Sequence, residues 1–217
     1  MDFTLARALM VDQQIARRGI GDPRLLRAMG EVPREVFVPP AVAARAYADE
    51  PLSIEEGQTI SQPYIVARMI EAAAVGPMDR VLEVGAGSGY AAAVLGHLAS
   101  RVIAVERHPA LAEAARERLE RLAFGNVDIH LADGTLGWPG DAPYDVILVS
   151  AGAPDVPEAL KAQLAMGGRL VIPVDRGDRT QDLVRITRVG PSDYHRLTLE
   201  PVRFVPLIGA QGWKETP

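Results

Sequence analysis

Residues 81–90 of the chain read Val-Leu-Glu-Val-Gly-Ala-Gly-Ser-Gly-Tyr, and this segment sets the type of fold. An apolar run containing one acid predicts a buried strand, the alternating glycines predict a tight turn, and the alanines that follow predict a helix. Glycine adopts backbone angles closed to other residues and lets a ligand approach the main chain, while the free N–H groups of the next helix point at that ligand. The segment therefore predicts a binding site of nucleotide size.

The side chains around the glycines indicate which nucleotide is bound. A dinucleotide turn, G-x-G-x-x-G/A, needs a small residue where this chain has Tyr90, so a pyrophosphate ligand is disfavoured. A P-loop needs Lys followed by Ser or Thr after its last glycine, and Gly89 precedes Tyr and Ala. Glu83 would repel a pyrophosphate but attract the ammonium of an amino acid. The pattern E-x-G-x-G-x-G resembles the first motif of class I S-adenosylmethionine-dependent methyltransferases, whose ligand carries an ammonium and a sulfonium.

The composition limits the class of protein. With 217 residues, of which 48% are apolar, the chain is long enough for one sizeable core and short for two. We expect a single globular unit, with a helical extension and loop over residues 1–56 and the methyltransferase domain over residues 57–217. A net charge of -5 disfavours nucleic acid as a partner, and the absence of cysteine excludes disulfides and thiol nucleophiles. Neither a long apolar run nor a basic leader is found, so we expect a cytoplasmic protein without membrane association.

The N-terminal part predicts two helices packed on the main domain. Leu5, Leu9 and Ile15 occur at roughly helical spacing, which predicts a helix over residues 4–18. The Asp-Pro pair at 22–23 predicts a second helix, because Asp caps a helix start and Pro suits its first position. Residues 32–58, interrupted by several prolines, are expected to form an irregular loop that is either functional or disordered.

The remaining apolar runs predict a sheet. Most follow a helical segment, which favours parallel strands with helices on both faces. The last two runs are joined by Gly-Pro-Ser-Asp with no helix between them, which predicts an antiparallel hairpin at the sheet edge. We therefore expect an α/β fold of the Rossmann-like class I methyltransferase type with a mostly parallel seven-stranded sheet. Met-Gly-Gly at 166–168 is interpreted as a helix C-cap turn. The predicted strands cover residues 81–84, 101–106, 127–131, 144–150, 169–174, 183–189 and 197–205.

A second informative segment, residues 57–64, reads Gly-Gln-Thr-Ile-Ser-Gln-Pro-Tyr. Ser61 is placed to cap a helix with Pro63 in its first turn, and a capping serine is commonly structural. The alternative is functional, since a hydroxyl and free amides at the positive end of a helix bind a carboxylate. The residues alone leave both interpretations open.

Two acids follow predicted strands at the edge where ligands bind in parallel α/β sheets. Glu106 lies about 20 residues after the first turn glycine, a spacing at which an acid accepts hydrogen bonds from ribose hydroxyls. The alternative for Glu106 is a solvated strand end. Asp133 is equally suited to accept the exocyclic amine of adenine or to form a local turn before Gly134.

Over nearly its whole length the chain resembles the protein-L-isoaspartate (D-aspartate) O-methyltransferase family. Thr-Ile-Ser-Gln-Pro at 59–63 is much more specific to that family than the glycine turn. The segments that carry the resemblance are 32–38, 57–69, 81–90, 105–107, 133–134, 142–145, 167–170 and 202–207.

The resemblance implies methyl transfer from S-adenosylmethionine to the free α-carboxyl of L-isoaspartyl and D-aspartyl residues in damaged proteins. S-adenosylhomocysteine is the product, the ester is repaired through a succinimide, and the enzyme is expected to be a monomer. Ser61 matches the active-site serine of the family. Its substrate-contacting residues match Thr59, Ile60, Gln62 and Leu207, the last in a C-terminal segment that closes over the site. Its cofactor positions match Glu83, Gly85, Ala86, Gly87, Gly89, Glu106, Asp133 and Gly134.

The residue types near the site agree with this chemistry. A carboxylate acceptor is already ionised at neutral pH, so its methylation needs no general base. Ser61 is expected to orient that carboxylate and not to act as a nucleophile, since a nucleophilic serine needs an adjacent base. The four histidines show no metal-ligand spacing, so no metal is expected.

Three other functions stay open at this point. A methyltransferase for a small molecule or RNA would make Ser61 dispensable. A non-catalytic module would bind S-adenosylmethionine without turnover. A nicotinamide-dependent oxidoreductase, disfavoured by Tyr90 and the terminal hairpin, would not bind S-adenosylhomocysteine.

Overall fold

The chain alternates helices with strands in a computed structural model that describes residues 2–177 and 180–215. The α-helices are α1 (Phe3–Leu9), α2 (Pro23–Glu31), α3 (Pro63–Ala73), α4 (Tyr90–Gly96), α5 (Pro109–Arg121) and α6 (Glu158–Ala162). The strands are β1 (Leu52–Ser53), β2 (Thr59–Ile60), β3 (Arg80–Val84), β4 (Arg101–Glu106), β5 (Val127–Leu131), β6 (Tyr144–Val149), β7 (Leu164–Asp175), β8 (Gln181–Arg188) and β9 (Tyr194–Val202). Within those ranges, no helix has both the length and the apolar character needed to cross a membrane.

The main sheet has seven strands in the order β5-β4-β3-β6-β7-β8-β9. Strands β3 to β7 pair in parallel, whereas β8 pairs antiparallel with both β7 and β9. The predicted mostly parallel sheet and its C-terminal hairpin are confirmed. After β3 the chain builds β4 and β5 on one side and then returns to β6 on the other. This reversal opens a crevice at the carboxyl end of β3, where α/β sheets bind ligands.

Alternate side chains of the central strands fill two cores, one on each face of the sheet. Val81 and Val146 belong to the core that includes the helices α2 to α5. Leu82 and Ile147 belong to the second core, which includes α6. Because side chains alternate along a strand, Glu83 lies on the same face as Val81, and it is only 1% exposed.

The N-terminal extension packs on the first core. Met10 and Ile15 are fully buried, but Leu5 and Leu9 are 57% and 44% exposed, so the helical spacing of Leu5, Leu9 and Ile15 does not mark one buried face. Residues Met10–Ile15 form a π-helical turn. In this turn hydrogen bonds span five residues, which matches the spacing of Met10 and Ile15 and not the α-helical spacing.

Short turns replace the irregular loop predicted between α2 and β2. Three 3₁₀ turns (Arg34–Phe37, Pro40–Arg45 and Glu55–Gly57) and β1 lie in this segment, and β1 pairs with β2. Buried side chains before and after residue 56 belong to one core. The division of the chain at residue 56 stays a prediction.

Residues 166–168 lie inside β7, so the predicted helix C-cap turn is wrong. Pairing of β7 with β6 shifts between Tyr144 and Val146, whose partners are Leu164 and Arg169. The extra residues form a bulge, a feature that commonly contains glycine. Gly167 has a φ of 76°, which strongly favours glycine at this position.

Candidate active site

The glycine turn after β3 has the conformation that the sequence predicts. Gly85, Gly87 and Gly89 have φ angles of 85°, 52° and 89°, all in the left-handed region. The N–H groups of Gly85 and Ala86 both donate to the carbonyl of Val105 on β4, at 2.9 and 3.1 Å. The turn is thereby fixed at the carboxyl ends of two neighbouring strands.

Three cavities meet at this edge of the sheet. The main cleft encloses about 680 Å³, part of it open to solvent, and its lining includes Val84, Gly85, Gly87, Glu106, Gly134 and Leu207. The inner pocket encloses about 360 Å³, and its lining includes Ile60, Ser61, Glu83, Gly85, Ala86 and Tyr90. The outer groove encloses about 1380 Å³, again partly open, and its lining includes Ser61, Gln62, Ile65, Arg203 and Phe204. Thr59 and Ser150 line all three cavities.

Glu83 contributes a buried carboxylate to the inner pocket. Its Oε2 has no hydrogen-bond partner within the described residues. Burial, reinforced by the charge of nearby Glu106, raises the pKa of Glu83 well above the ordinary value of a glutamate. A buried acid of this kind is stabilised when a cation binds beside it. The inner pocket therefore suits the ammonium group of S-adenosylmethionine.

Replacing Glu83 with glutamine is expected to stabilise the ligand-free protein at alkaline pH. Because folding raises the pKa of Glu83, the native state keeps a proton that the unfolded state loses. The free energy of unfolding contributed by this group therefore falls as the pH rises above the ordinary glutamate pKa. Glutamine does not titrate, so Glu83→Gln should resist urea better than wild type at about pH 8 and about equally at pH 4.

The same substitution is expected to weaken binding of S-adenosylhomocysteine about 100-fold, because a charge-assisted hydrogen bond to the ammonium is lost. Calorimetry measures the affinity, and Glu113→Gln, on a side chain 63% exposed on α5, is the control. Unchanged affinity in Glu83→Gln would show that the ammonium binds elsewhere.

Glu106 lies at the end of β4 with its carboxylate turned into the main cleft. Its Oε2 accepts a hydrogen bond from the N–H of Gly87 at 2.9 Å. Its Oε1 accepts from the N–H groups of Arg107 and His108 at 2.7 and 2.9 Å. A carboxylate has about four acceptor positions, so at least one remains for a ligand hydroxyl. Glu106 is therefore a strand end held inside the site and not a solvated one, at 5% exposure.

Asp133 holds the C-terminal segment in place. One carboxylate oxygen accepts from the N–H and the hydroxyl of Thr135, and the other accepts from the N–H of Ala210 at 2.8 Å. Although burial opposes ionisation, these hydrogen bonds and the charge of Arg107 lower the pKa of Asp133 below its ordinary value. The local turn expected as one alternative is thus present. Asp133 borders a separate surface cavity, whereas Gly134 lines the main cleft.

Residues 205–208, called the roof here, cover one side of the main cleft. The N–H of Gly152 donates to the carbonyl of Val205, and the N–H of Leu207 donates to the carbonyl of Gly152, both at 2.8 Å. Leu207 is 5% exposed. The segment predicted to close over the site therefore lies against the cleft.

Ser61 lies between the inner pocket and the outer groove. It does not cap α3, as one interpretation of the sequence expected, because Gln62 occupies the N-cap position and makes no capping hydrogen bond with its side chain. The Gln62 side chain instead donates to the carbonyl of Asp49 at 3.2 Å. Thr59 and Ile60 form the short strand immediately before Ser61. The hydroxyl of Ser61 is thus free of a capping role.

Several polar residues that line these cavities were not among the predicted site residues, and Ser150 and Gln58 are two of them. Ser150 follows β6 and lines all three cavities, and Gln58 lines the main cleft beside Thr59. The sequence could have indicated Ser150 as a site residue, because it directly follows a buried strand at the carboxyl edge of a parallel sheet. For Gln58 the sequence gave no indication beyond its position next to the Thr59 segment.

Sequence comparison relates the whole chain to known methyltransferases. The model of the Protein-L-isoaspartate(D-aspartate) O-methyltransferase (PCMT) family matches residues 6–212. A protein-L-isoaspartate O-methyltransferase of Rhodopseudomonas palustris is 57% identical over 206 residues, which cover 95% of this chain and 94% of that protein. One from Methylorubrum populi is 58% identical over 207 residues, which cover 95% and 97%.

Comparison with solved structures also relates this chain to protein-L-isoaspartate O-methyltransferases. A protein-L-isoaspartate O-methyltransferase superposes with a TM-score of 0.85 at 32% identity, over 95% of this chain and 67% of that one. A beta-aspartate methyltransferase (PCMT) from Plasmodium falciparum, solved in complex with S-adenosyl-L-homocysteine, superposes with a TM-score of 0.79 at 28% identity, over 93% and 98%. The predicted resemblance is confirmed, and the chain belongs to the protein-L-isoaspartate (D-aspartate) O-methyltransferase family.

Proposed function

We propose that this chain methylates the free α-carboxyl of L-isoaspartyl and D-aspartyl residues in damaged proteins and so starts their repair through a succinimide. Family membership supports the activity, with S-adenosylmethionine as donor and S-adenosylhomocysteine as product. One structural observation carries the assignment. Ser61 lines both a pocket that contains an unpartnered acid and a groove of about 1380 Å³ that is partly open to solvent.

The donor side of the site is formed by the glycine turn and two acids. S-adenosylmethionine, when bound, supplies a methyl group carried on a sulfonium. Glu83 would hold the ammonium, because its Oε2 has no hydrogen-bond partner within the described residues. Glu106 would hold the ribose, because its carboxylate keeps a free acceptor position. Asp133 and Gly134 would border the adenine. The ligand would approach the main chain closely at Gly85, Ala86, Gly87 and Gly89.

The acceptor side needs alignment and not proton transfer. A carboxylate is ionised at neutral pH, so the chain has no proton to remove. The Ser61 hydroxyl would donate a hydrogen bond to one carboxylate oxygen and hold the other towards the inner pocket. Because the anion and the sulfonium lose their charges on reaction, water opposes the reaction, and Leu207 and Ile60 would exclude it. Thr59 and Gln62 would contact the substrate main chain.

We further propose that the protein acts as a monomer in the cytoplasm, without a nucleic-acid or membrane partner. Its net charge of -5 supports the absence of a nucleic-acid partner, because phosphate binding needs clustered positive charge. The partner it needs is a protein or peptide that contains isoaspartate.

Labelled S-adenosylmethionine and a matched peptide pair test the proposal. The two peptides differ only in an aspartyl or isoaspartyl linkage at one position. We expect the isoaspartyl peptide to be methylated and the aspartyl peptide to give background incorporation. Equal incorporation into both, or incorporation into neither, would overturn the substrate assignment. Methylation of RNA or of a small metabolite instead would point to the alternative methyltransferase.

A further inference from the structure

Arg34 is a fully buried cation behind the acceptor site. It is 0% exposed, and its guanidinium donates hydrogen bonds to two backbone carbonyl groups. Nε donates to the carbonyl of Ala46 at 2.7 Å, and Nη2 donates to the carbonyl of Ser61 at 2.8 Å. The guanidinium carbon lies 4.7 Å from the ring centre of Tyr90, which lines the inner pocket. The site that holds Arg34 thus includes the backbone of Ser61 itself.

The two carbonyls that Arg34 binds lie on either side of one small hairpin. Between residues 46 and 61 the chain forms β1 and β2, which pair Ser53 with Thr59. The hairpin itself has only two residues in each strand, which is too short to be stable alone. Arg34 therefore joins both ends of the segment that places Thr59 and Ser61 at the cavities.

Stability alone does not explain a buried arginine at this position. Nη1 has no hydrogen-bond partner within the described residues. A buried donor left unpaired destabilises the fold, and an apolar side chain would avoid that loss. A planar fork that binds two carbonyls in fixed directions is the property that arginine provides and other residues do not.

We propose that Arg34 is a positioning residue for methyl transfer, which sets the Ser61 hydroxyl against the acceptor carboxylate by clamping residues 46–61. This inference deepens the proposed function and rests on it for the identity of the acceptor. Arg34 does not touch the reacting atoms. It acts through the carbonyl of Ser61, and its positive charge adds a weaker attraction for an anionic acceptor.

The test compares Arg34→Lys with Arg169→Lys. Lysine keeps the charge but not the planar fork, so kcat/KM for the isoaspartyl peptide should fall about tenfold or more. The dissociation constant for S-adenosylhomocysteine should change by less than about threefold, because Arg34 forms no hydrogen bond within the described residues to Glu83 or Glu106, which are proposed to hold the ammonium and the ribose. Hydrogen exchange of the segment 46–62 should become faster, with exchange in β3 and β6 unchanged.

Arg169 is the matched control at the opposite end of α3. Its guanidinium also donates to two carbonyls, those of Ala73 and Ala74, at 2.9 and 2.8 Å. Arg169→Lys should lower the free energy of unfolding but leave kcat/KM unchanged. If both variants lose activity in proportion to their stability, Arg34 is structural and the proposal fails.

A neutral variant covers the case in which Arg34→Lys does not fold. Arg34→Gln buries no charge and keeps one amide donor, so it should show the same fall in kcat/KM with unchanged cofactor affinity. Unchanged kcat/KM or unchanged exchange in the segment 46–62 would overturn the proposal. Hydrogen exchange is measured in the absence of an acceptor peptide. It can therefore refute the proposed role of Arg34 even when the methylation of isoaspartyl peptides is confirmed. If the wild-type enzyme does not methylate the isoaspartyl peptide, only the proposed activity is refuted.

Discussion

Replacing Glu106 with alanine should raise the dissociation constant for S-adenosylhomocysteine by about 100-fold or more. The substitution removes the acceptor proposed for the ribose. It also leaves the N–H groups of Gly87, Arg107 and His108 without their carboxylate, so the glycine turn loses one of its connections to β4. Charge-assisted hydrogen bonds are about twice as strong as neutral ones, which makes this the largest expected effect on binding. Calorimetry with the purified variant measures it.

A ligand without the ribose 2′-hydroxyl separates the two contributions. If Glu106 binds the ribose, wild type should lose affinity for that ligand, and Glu106→Ala should lose little more, because the contact is already gone. If removal of the 2′-hydroxyl weakens binding equally in wild type and in Glu106→Ala, then Glu106 does not bind the ribose and only supports the glycine turn. Glu113→Ala, on the solvent side of α5, should bind both ligands as wild type does.

Replacing Ser61 with alanine should lower kcat for the isoaspartyl peptide about 100-fold, since loss of alignment by a single ångström has an effect of that size. Affinity for S-adenosylhomocysteine should stay within about threefold of wild type, because the proposed ammonium and ribose contacts come from Glu83 and Glu106. Single-turnover methylation with saturating donor gives the rate, and calorimetry gives the affinity.

Ser53→Ala is the matched control for Ser61→Ala. Ser53 lies on the same small hairpin with an exposed side chain, so its loss should leave the rate unchanged. Ser61→Thr, which keeps a hydroxyl, should recover part of the rate. Wild-type turnover in Ser61→Ala would mean that the acceptor is held by another group, for example Ser150.

The strands that carry the site were predictable from the sequence because they show one of two patterns, a buried apolar run as in β4 or an alternation of apolar and polar residues as in β5. The predicted ranges 101–106 and 127–131 coincide with β4 and β5. Burial of such runs depends on side-chain type and not on the details of the neighbours. The glycine turn was predictable for a related reason, since its backbone angles exclude other residues.

Two of the differences between the predicted and the observed fold have a common origin. The π-helical turn at Met10–Ile15 and the bulge at Gly167 both depend on hydrogen bonds that deviate from the regular pattern. Periodicity in a sequence describes only the regular pattern. Here the packing of Met10 and Ile15, and the pairing of β7 with β6, override it.

The site was predictable where a residue belongs to a local motif and not where it acts from a distance. Glu83 and Glu106 lie at the carboxyl ends of β3 and β4, Gly134 lies shortly after β5, and the structure brings all three to adjoining cavities. Arg34 carries no such signal, because its contact with Ser61 joins residues far apart in the chain. Local reasoning also favoured a capping role for Ser61, which the position of Gln62 excludes.

The roof has one practical consequence for kinetics. The indole N–H of Trp213 donates to the carbonyl of Gly152 at 3.0 Å, and its backbone N–H donates to the carbonyl of Leu207 at 2.8 Å. The chain has two tryptophans, and the other, Trp138, stacks on His130. Opening of the roof would change the polarity around the Trp213 indole, so a Trp138→Phe background leaves one tryptophan whose emission is expected to report movement of the roof.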